Sequence, residues 1–132
     1  MDKFDLIQEK INKQKQELEQ LEDDYQLSKK KINQSFAELE NNRNQLYHIL
    51  NDFSELFYHF AKKEDRDDEK LAEFKQLLST YRNATEMVYR KQVQDLETKD
   101  EKIRTNYRKN YRKVEDSLEE SYQLRRQANQ EN

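Results

Sequence analysis

Glycine, proline, cysteine and tryptophan are all missing from a chain of 132 residues. At average usage, roughly 16 glycines and prolines would be expected at this length. Glycine supplies positive φ and proline fixes tight turns, so their absence removes the usual chemistry of loops. A sheet-rich fold, a glycine-rich phosphate loop and a nucleotide-binding crossover are excluded together. Without cysteine there is no disulfide framework, thiolate metal site or cysteine nucleophile. No apolar run approaches the roughly 20 residues of a membrane span. The N-terminus, Met-Asp-Lys-Phe-Asp-Leu-Ile-Gln-Glu-Lys, has no apolar segment of the signal-peptide kind, so a soluble cytoplasmic protein is expected.

What is present is charge. Charged residues make up 40% of the chain and hydrophobic ones 33%. That is too little apolar material for a globular core, but it suits long helices that bury narrow stripes. The net charge of −3, from 25 basic and 28 acidic residues, argues against a general polyanion binder.

A seven-residue repeat runs through the first half. With Phe4 as position a, the column reads Phe4, Ile11, Leu18, Tyr25, Ile32, Leu39, Leu46, Phe53 and Phe60, apolar or aromatic at every step. Position d is more polar: Ile7, Gln14, Leu21, Ser28, Ser35, Asn42, Ile49, Leu56. Such a repeat implies coiled-coil packing, with the polar d residues restricting register at a cost in stability. Helix 1 is expected over about 3–62. The stripe then lapses in Lys62-Lys-Glu-Asp-Arg-Asp-Asp-Glu-Lys70, which predicts a turn over about 63–68, with Asp65, Asp67 or Asp68 capping a second helix. Helix 2 is expected over about 69–127. Its apolar positions include Leu71, Phe74, Leu78, Tyr81, Val88 and Tyr89. From Leu96 they fall on Ile103, Tyr107, Tyr111, Val114, Leu118 and Tyr122, a spacing closer to eleven than seven. The last six residues should fray.

Folding the chain about residue 65 or 66 brings charge blocks of opposite sign together. Lys10, Lys13 and Lys15 fall beside Glu115, Asp116, Glu119 and Glu120. The acids of 17–24 fall beside Arg108, Lys109, Arg112 and Lys113. Lys29, Lys30 and Lys31 fall near Asp95, Glu97, Asp100 and Glu101. Flanking charges of this kind select orientation by penalising wrong registers. The fold expected is an all-α antiparallel two-helix coiled-coil hairpin, a single unit over 1–132, that completes a helical bundle with a partner or a second copy. The same register also fits two uninterrupted helices in an antiparallel homodimer.

The densest apolar region lies at the proposed turn end. Leu46, Ile49, Leu50, Phe53, Leu56, Phe57 and Phe60 fill a, d and e, opposite Leu71, Phe74, Leu77, Leu78 and Tyr81. A two-helix seam needs only a and d, whereas an a/d/e face can meet two neighbours. The region is either the best-packed end of the hairpin core or a face that also docks another helical chain. On the second reading the partner-binding residues are Leu46, Ile49, Leu50, Phe53, Leu56, Phe57, Phe60, Phe74, Leu78 and Tyr81.

Other constellations carry less. Tyr107-Arg-Lys-Asn-Tyr111-Arg-Lys could combine phosphate neutralisation with base stacking. Both tyrosines share the face of Ile103 and Val114, however, so a seam with solvated charged flanks is expected and no nucleic acid is called for. His48, Asp52, Glu55 and His59 share one helical face but have no cluster opposite, so no metal and no cofactor are expected. Carboxylates are plentiful, but two helices offer no desolvated pocket to perturb them, and a non-enzyme is the expectation.

The stretch Glu40-Asn-Asn-Arg-Asn-Gln-Leu-Tyr-His-Ile-Leu, the aromatic turn region, and Lys91-Gln-Val-Gln-Asp-Leu-Glu-Thr-Lys-Asp-Glu with its Tyr/Arg-rich continuation resemble a helical family of Gram-positive type VII secretion. These are small accessory proteins encoded beside LXG-domain toxins, hairpins of WXG-like size. The chain departs from typical WXG proteins in lacking the Trp-x-Gly turn. The resemblance implies a targeting factor or chaperone that binds the toxin's N-terminal helical LXG domain, with a second small helical accessory protein as a further partner. It also implies a cytoplasmic start and co-export. The export signal of such systems, an aromatic followed four positions later by an acid, is matched by Tyr111 and Glu115. Phe36/Glu40 and Phe60/Glu64 have the same spacing.

Overall fold

In the computed structural model, which describes residues 2–63 and 68–131, the chain forms two long helices. These are α1 (Lys3–Lys63) and α2 (Asp68–Gln130). Among the described residues there is no strand, and the architecture is an all-α helical hairpin. The segment 64–67, on which the expected turn falls, lies outside the described residues, as do the side chains offered as its caps. With neither glycine nor proline in the sequence, nothing local interrupts either helix. Asp2 caps α1: its Oδ1 accepts the Asp5 amide at 2.9 Å, and Asp5 adds acid to the first turn, where the helix dipole favours it.

The hairpin comprises two compact units. A terminal unit holds residues 1–32 and 99–132, and a middle unit holds 33–98. In the terminal unit α1 keeps the heptad: Phe4, Ile7, Ile11, Gln14, Leu18, Leu21, Tyr25, Ser28 and Ile32 all turn inward. Ile11 is fully buried, and Ile32, Leu118 and Ala128 complete the sequestered apolar core. On α2 the inward residues Ile103, Val114 and Arg125 keep the eleven-residue spacing expected there, while Tyr107, Val114, Ser121 and Ala128 also step by seven. The seven-residue step adds Ser121, which is 1% exposed while Tyr122 stays at the rim. Ser121 can be buried because its hydroxyl donates to the Ser117 carbonyl at 3.1 Å. Tyr122 instead lies beneath two cations, with Arg125 at 5.0 Å and Lys15 at 5.9 Å from its ring centre.

The C-terminal segment is a correction. Rather than fraying from 127, α2 continues to Gln130. Ala128 is buried, Glu131 pairs with Lys3 at 3.5 Å, and Arg125 donates to Gln8 at 3.0 Å. Ala128 lies one heptad beyond Ser121, so the seam itself carries the helix past the expected end.

Of the charge blocks, the one at Lys29–Lys31 yields a close cross-helix pair, Lys29 Nζ to Asp100 Oδ1 at 2.6 Å, with Arg104 adding a contact to the same carboxylate at 3.4 Å. In the other blocks, Glu119 pairs with Arg126 at 3.2 Å, and Lys15 goes to the Tyr122 ring. Orientation therefore rests mainly on the seam, since exposed ion pairs are each worth well under about 1 kcal/mol.

Gln14 is the costly member of the terminal seam. It is 7% exposed, and its Oε1 lacks a hydrogen-bond partner. Replacing it by leucine should remove that desolvation cost, raising stability by about 1 kcal/mol and the melting temperature by a few degrees. Thermal unfolding followed by circular dichroism checks this, and a lower melting point in Gln14→Leu would contradict it.

Candidate helix-docking face

The middle unit does not continue the heptad of α1 in the same register. After Leu39 the inward residues of α1 are Arg43, Tyr47, Leu50, Ser54, Phe57 and Ala61, one position later than the column that runs from Phe4. Leu39, Leu50 and Ala61 are eleven apart. The facing residues of α2 take the same step, from Phe74 to Thr85 to Leu96 and from Leu78 to Tyr89.

A polar clasp marks the slip. Arg43 grips Glu86 with two nitrogens, Nε to Oε2 at 3.1 Å and Nη2 to Oε1 at 3.3 Å. The Tyr47 hydroxyl donates to Glu86 Oε2 at 2.8 Å. The Arg43 guanidinium also lies 4.6 Å from the Tyr89 ring centre and 5.4 Å from that of Tyr47. Bidentate arginine–carboxylate pairs are geometrically demanding, and this one turns Tyr47 towards α2. Successive helical residues are about 100° apart, so Leu46 must then point away from the seam. Further along, Arg82 Nη2 donates to Asn51 Oδ1 at 2.9 Å, and Phe57 stacks on Phe74 with ring centres 3.8 Å apart.

The expected seam is therefore corrected. The a and d residues Leu46, Ile49, Phe53, Leu56 and Phe60 are all exposed, Phe53 at 60% and Leu56 at 72%. They keep the 3-4 spacing of a coiled-coil seam, displaced onto the side of the hairpin. Leu77, Tyr81, Ala84 and Val88 on α2 form a second exposed stripe, likewise one position before its inward column. In an antiparallel pair, residues preceding the seam on both helices fall on the same side. Accordingly, Leu46, Tyr81, Ala84 and Val88 line one open recess of about 320 Å³, with Arg43 and Tyr89 also in its lining.

Of the ten residues assigned to partner binding, six lie on this exposed face: Leu46, Ile49, Phe53, Leu56, Phe60 and Tyr81. The other four do not. Leu78 is buried at 7%, while Leu50, Phe57 and Phe74 are half-buried in the seam. The region is thus not the best-packed end of the hairpin. Leu77, Ala84 and Val88 also belong to the face although none is among the ten, Leu77 and Val88 being expected only as apolar positions of helix 2. Their 3-4 spacing with Tyr81 is the signal that identifies them.

Elsewhere, Tyr107 stacks on Tyr25 at 4.2 Å and tilts against Tyr111 at 5.6 Å, so both tyrosines of the basic repeat are spent on the seam of the terminal unit. Desolvation, and then Glu22, push the Tyr107 phenol above its ordinary value. Tyr111 is half-buried and Glu115 exposed. His48, Asp52, Glu55 and His59 are all exposed, and among the described residues no group of three or more such side chains is placed to hold a metal ion. No described helix is long and apolar enough to cross a membrane. Comparisons with protein-family models, with curated proteins and with solved structures return no match.

The clasp also has a pH signature. The hydrogen bond from Tyr47, which outweighs the opposing effect of burial, and the charge of Arg43 hold the Glu86 carboxyl below its ordinary value of 4.5. A group depressed in the folded state adds stability above its unfolded pKa, and that stability is lost as pH falls through the lower folded value. Melting temperature should therefore fall on acidification below about 4.5 more steeply in the native chain than in Glu86→Gln. Parallel curves for the two proteins would count against the clasp.

Proposed function

We propose that the chain is a non-enzymatic helical binding protein, acting as targeting factor or chaperone for the N-terminal helical LXG domain of a type VII secreted toxin. The observation that supports this most is the exposed 3-4 stripe Leu46–Ile49–Phe53–Leu56 beside Tyr81, Ala84 and Val88. A helix recognises another helix by laying apolar residues at i, i+3, i+4 and i+7 into such a groove. Affinity comes from burying the stripe, whereas charged flanks set register and discriminate partners. A second small helical accessory protein would extend the same bundle.

The resemblance in the 40–50 and 91–101 segments supplies the toxin class. On this reading Tyr111 and Glu115 serve export only when α2 is presented by the assembled bundle, because Tyr111 is half-buried in the hairpin.

The test is co-expression with the LXG domain of a toxin encoded beside this chain, followed by affinity measurement. Phe53→Asp combined with Leu56→Asp should leave helix content intact, since both side chains are already solvated, and weaken binding by on the order of 100-fold or more. Equal binding by the double variant would exclude this face, and no binding by the native chain would exclude the toxin reading.

A further inference from the structure

We propose that, when no toxin helix is bound, the middle unit covers its exposed face with a second copy of this chain. In that dimer the α1 stripe of each copy lies on the α2 stripe of the other.

The area argues first. The exposed fractions of the two stripes amount to roughly 800 Å² of mostly apolar side chain, counting large side chains at about 200 Å² each. A typical monomer's largest apolar patch is about 300–600 Å², while a standard stable interface buries about 800 Å² per partner. The face is therefore oversized for a free surface and of the size that a specific dimer needs. Poor self-cover points the same way. Among the described hydrophobic residues of the middle unit, Leu78 alone reaches full burial, against Ile11, Ile32, Leu118 and Ala128 in the terminal unit.

Size complementarity selects the arrangement. The α1 stripe is uniformly bulky, with Leu46, Ile49, Phe53 and Leu56. The α2 stripe has a small residue, Ala84, between Tyr81 and Val88, and the recess opens there. Placing α1 on the partner's α1 would set bulky on bulky and leave the two recesses unfilled. Placing α1 on the partner's α2 sets Ile49 towards the partner's Ala84, so that large and small residues interdigitate as a four-helix core requires. A twofold axis along the helices produces both contacts at once, because an isologous interface uses each patch twice. The toxin helix and the second copy then compete for one face, and capture of the toxin proceeds by exchange.

The inference shares its face with the toxin reading but stands without it, and the experiment separates the two. Light scattering on the purified full chain at about 100 µM, well above a micromolar dissociation constant, should give twice the chain mass. Phe53→Asp should give the chain mass with unchanged helix content. Because the chain has no cysteine, single variants report cleanly. Mixed Ile49→Cys and Ala84→Cys proteins should form the mixed disulfide in excess over either homodisulfide. A monomeric native chain would overturn the dimer while leaving toxin binding to be judged by its own assay. A dimer indifferent to Phe53→Asp would place the contact elsewhere. A preponderance of the Ile49→Cys homodisulfide would overturn the α1-on-α2 arrangement.

Discussion

The grip of Arg43 and Tyr47 on Glu86 is the constraint from which the rest of the middle unit follows. A long helix offers many azimuths to its partner, and apolar stripes alone do not choose among neighbouring ones. The fork of Arg43 on Glu86, with the Tyr47 hydroxyl on the same carboxylate and the Tyr89 ring against the guanidinium, fixes one azimuth by directional bonds. Once Tyr47 faces α2, Leu50 and Phe57 follow it inward at helical spacing. The older heptad column then passes to the surface without losing its own periodicity. One polar node thus converts a seam into a face.

The two units differ accordingly. The terminal unit is built for self-sufficiency: a strict heptad on both helices, Ile11 and Ser121 sequestered, a tyrosine stack, and ion pairs at its rim. Its polar d residues, Gln14 above all, cost stability but discriminate against other registers. The middle unit has arginines, threonine and glutamate at inward positions and leaves Leu46, Ile49, Leu56, Leu77 and Val88 outside. Such a division suits a protein whose one half holds the hairpin together while the other meets a helical partner. Since the seam of the middle unit is only half-covered, a partner helix would stabilise the unit as well as bind it.

The hairpin was legible in the sequence because its evidence is one-dimensional. The missing glycine and proline favour long helices, the column from Phe4 to Leu39 sets the period, and the opposite charges at Lys29 and Asp100 give the antiparallel register. The azimuth of the middle unit was not legible. Leu46, Ile49, Phe53, Leu56 and Phe60 satisfy the heptad better than Tyr47, Leu50, Ser54, Phe57 and Ala61, so period counting favours the wrong column. What decides between them is a three-dimensional contact between residues about forty positions apart, Arg43 and Glu86. The burial of Ser121 in preference to Tyr122 was not legible either: apolar patterning favours the tyrosine, but the serine is the one buried, its hydroxyl satisfied locally by the Ser117 carbonyl. An exposed apolar face at 46–60 was legible because the apolar surplus there exceeds what two helices can use, whichever column turns inward.

The azimuth of α1 in the middle unit is the central claim, and proton–proton contacts measured by NMR test it most directly. Leu78 lies inside the seam, so its contacts report the hairpin itself and not any second chain. The structure requires strong contacts between the rings of Phe57 and Phe74, which stack at 3.8 Å, outweighing any from the 60% exposed Phe53 ring to the Leu78 methyl groups. Contacts from Phe53 to Leu78, with Phe57 silent towards Phe74, would mean that the heptad runs unbroken into the seam and that the exposed face does not exist.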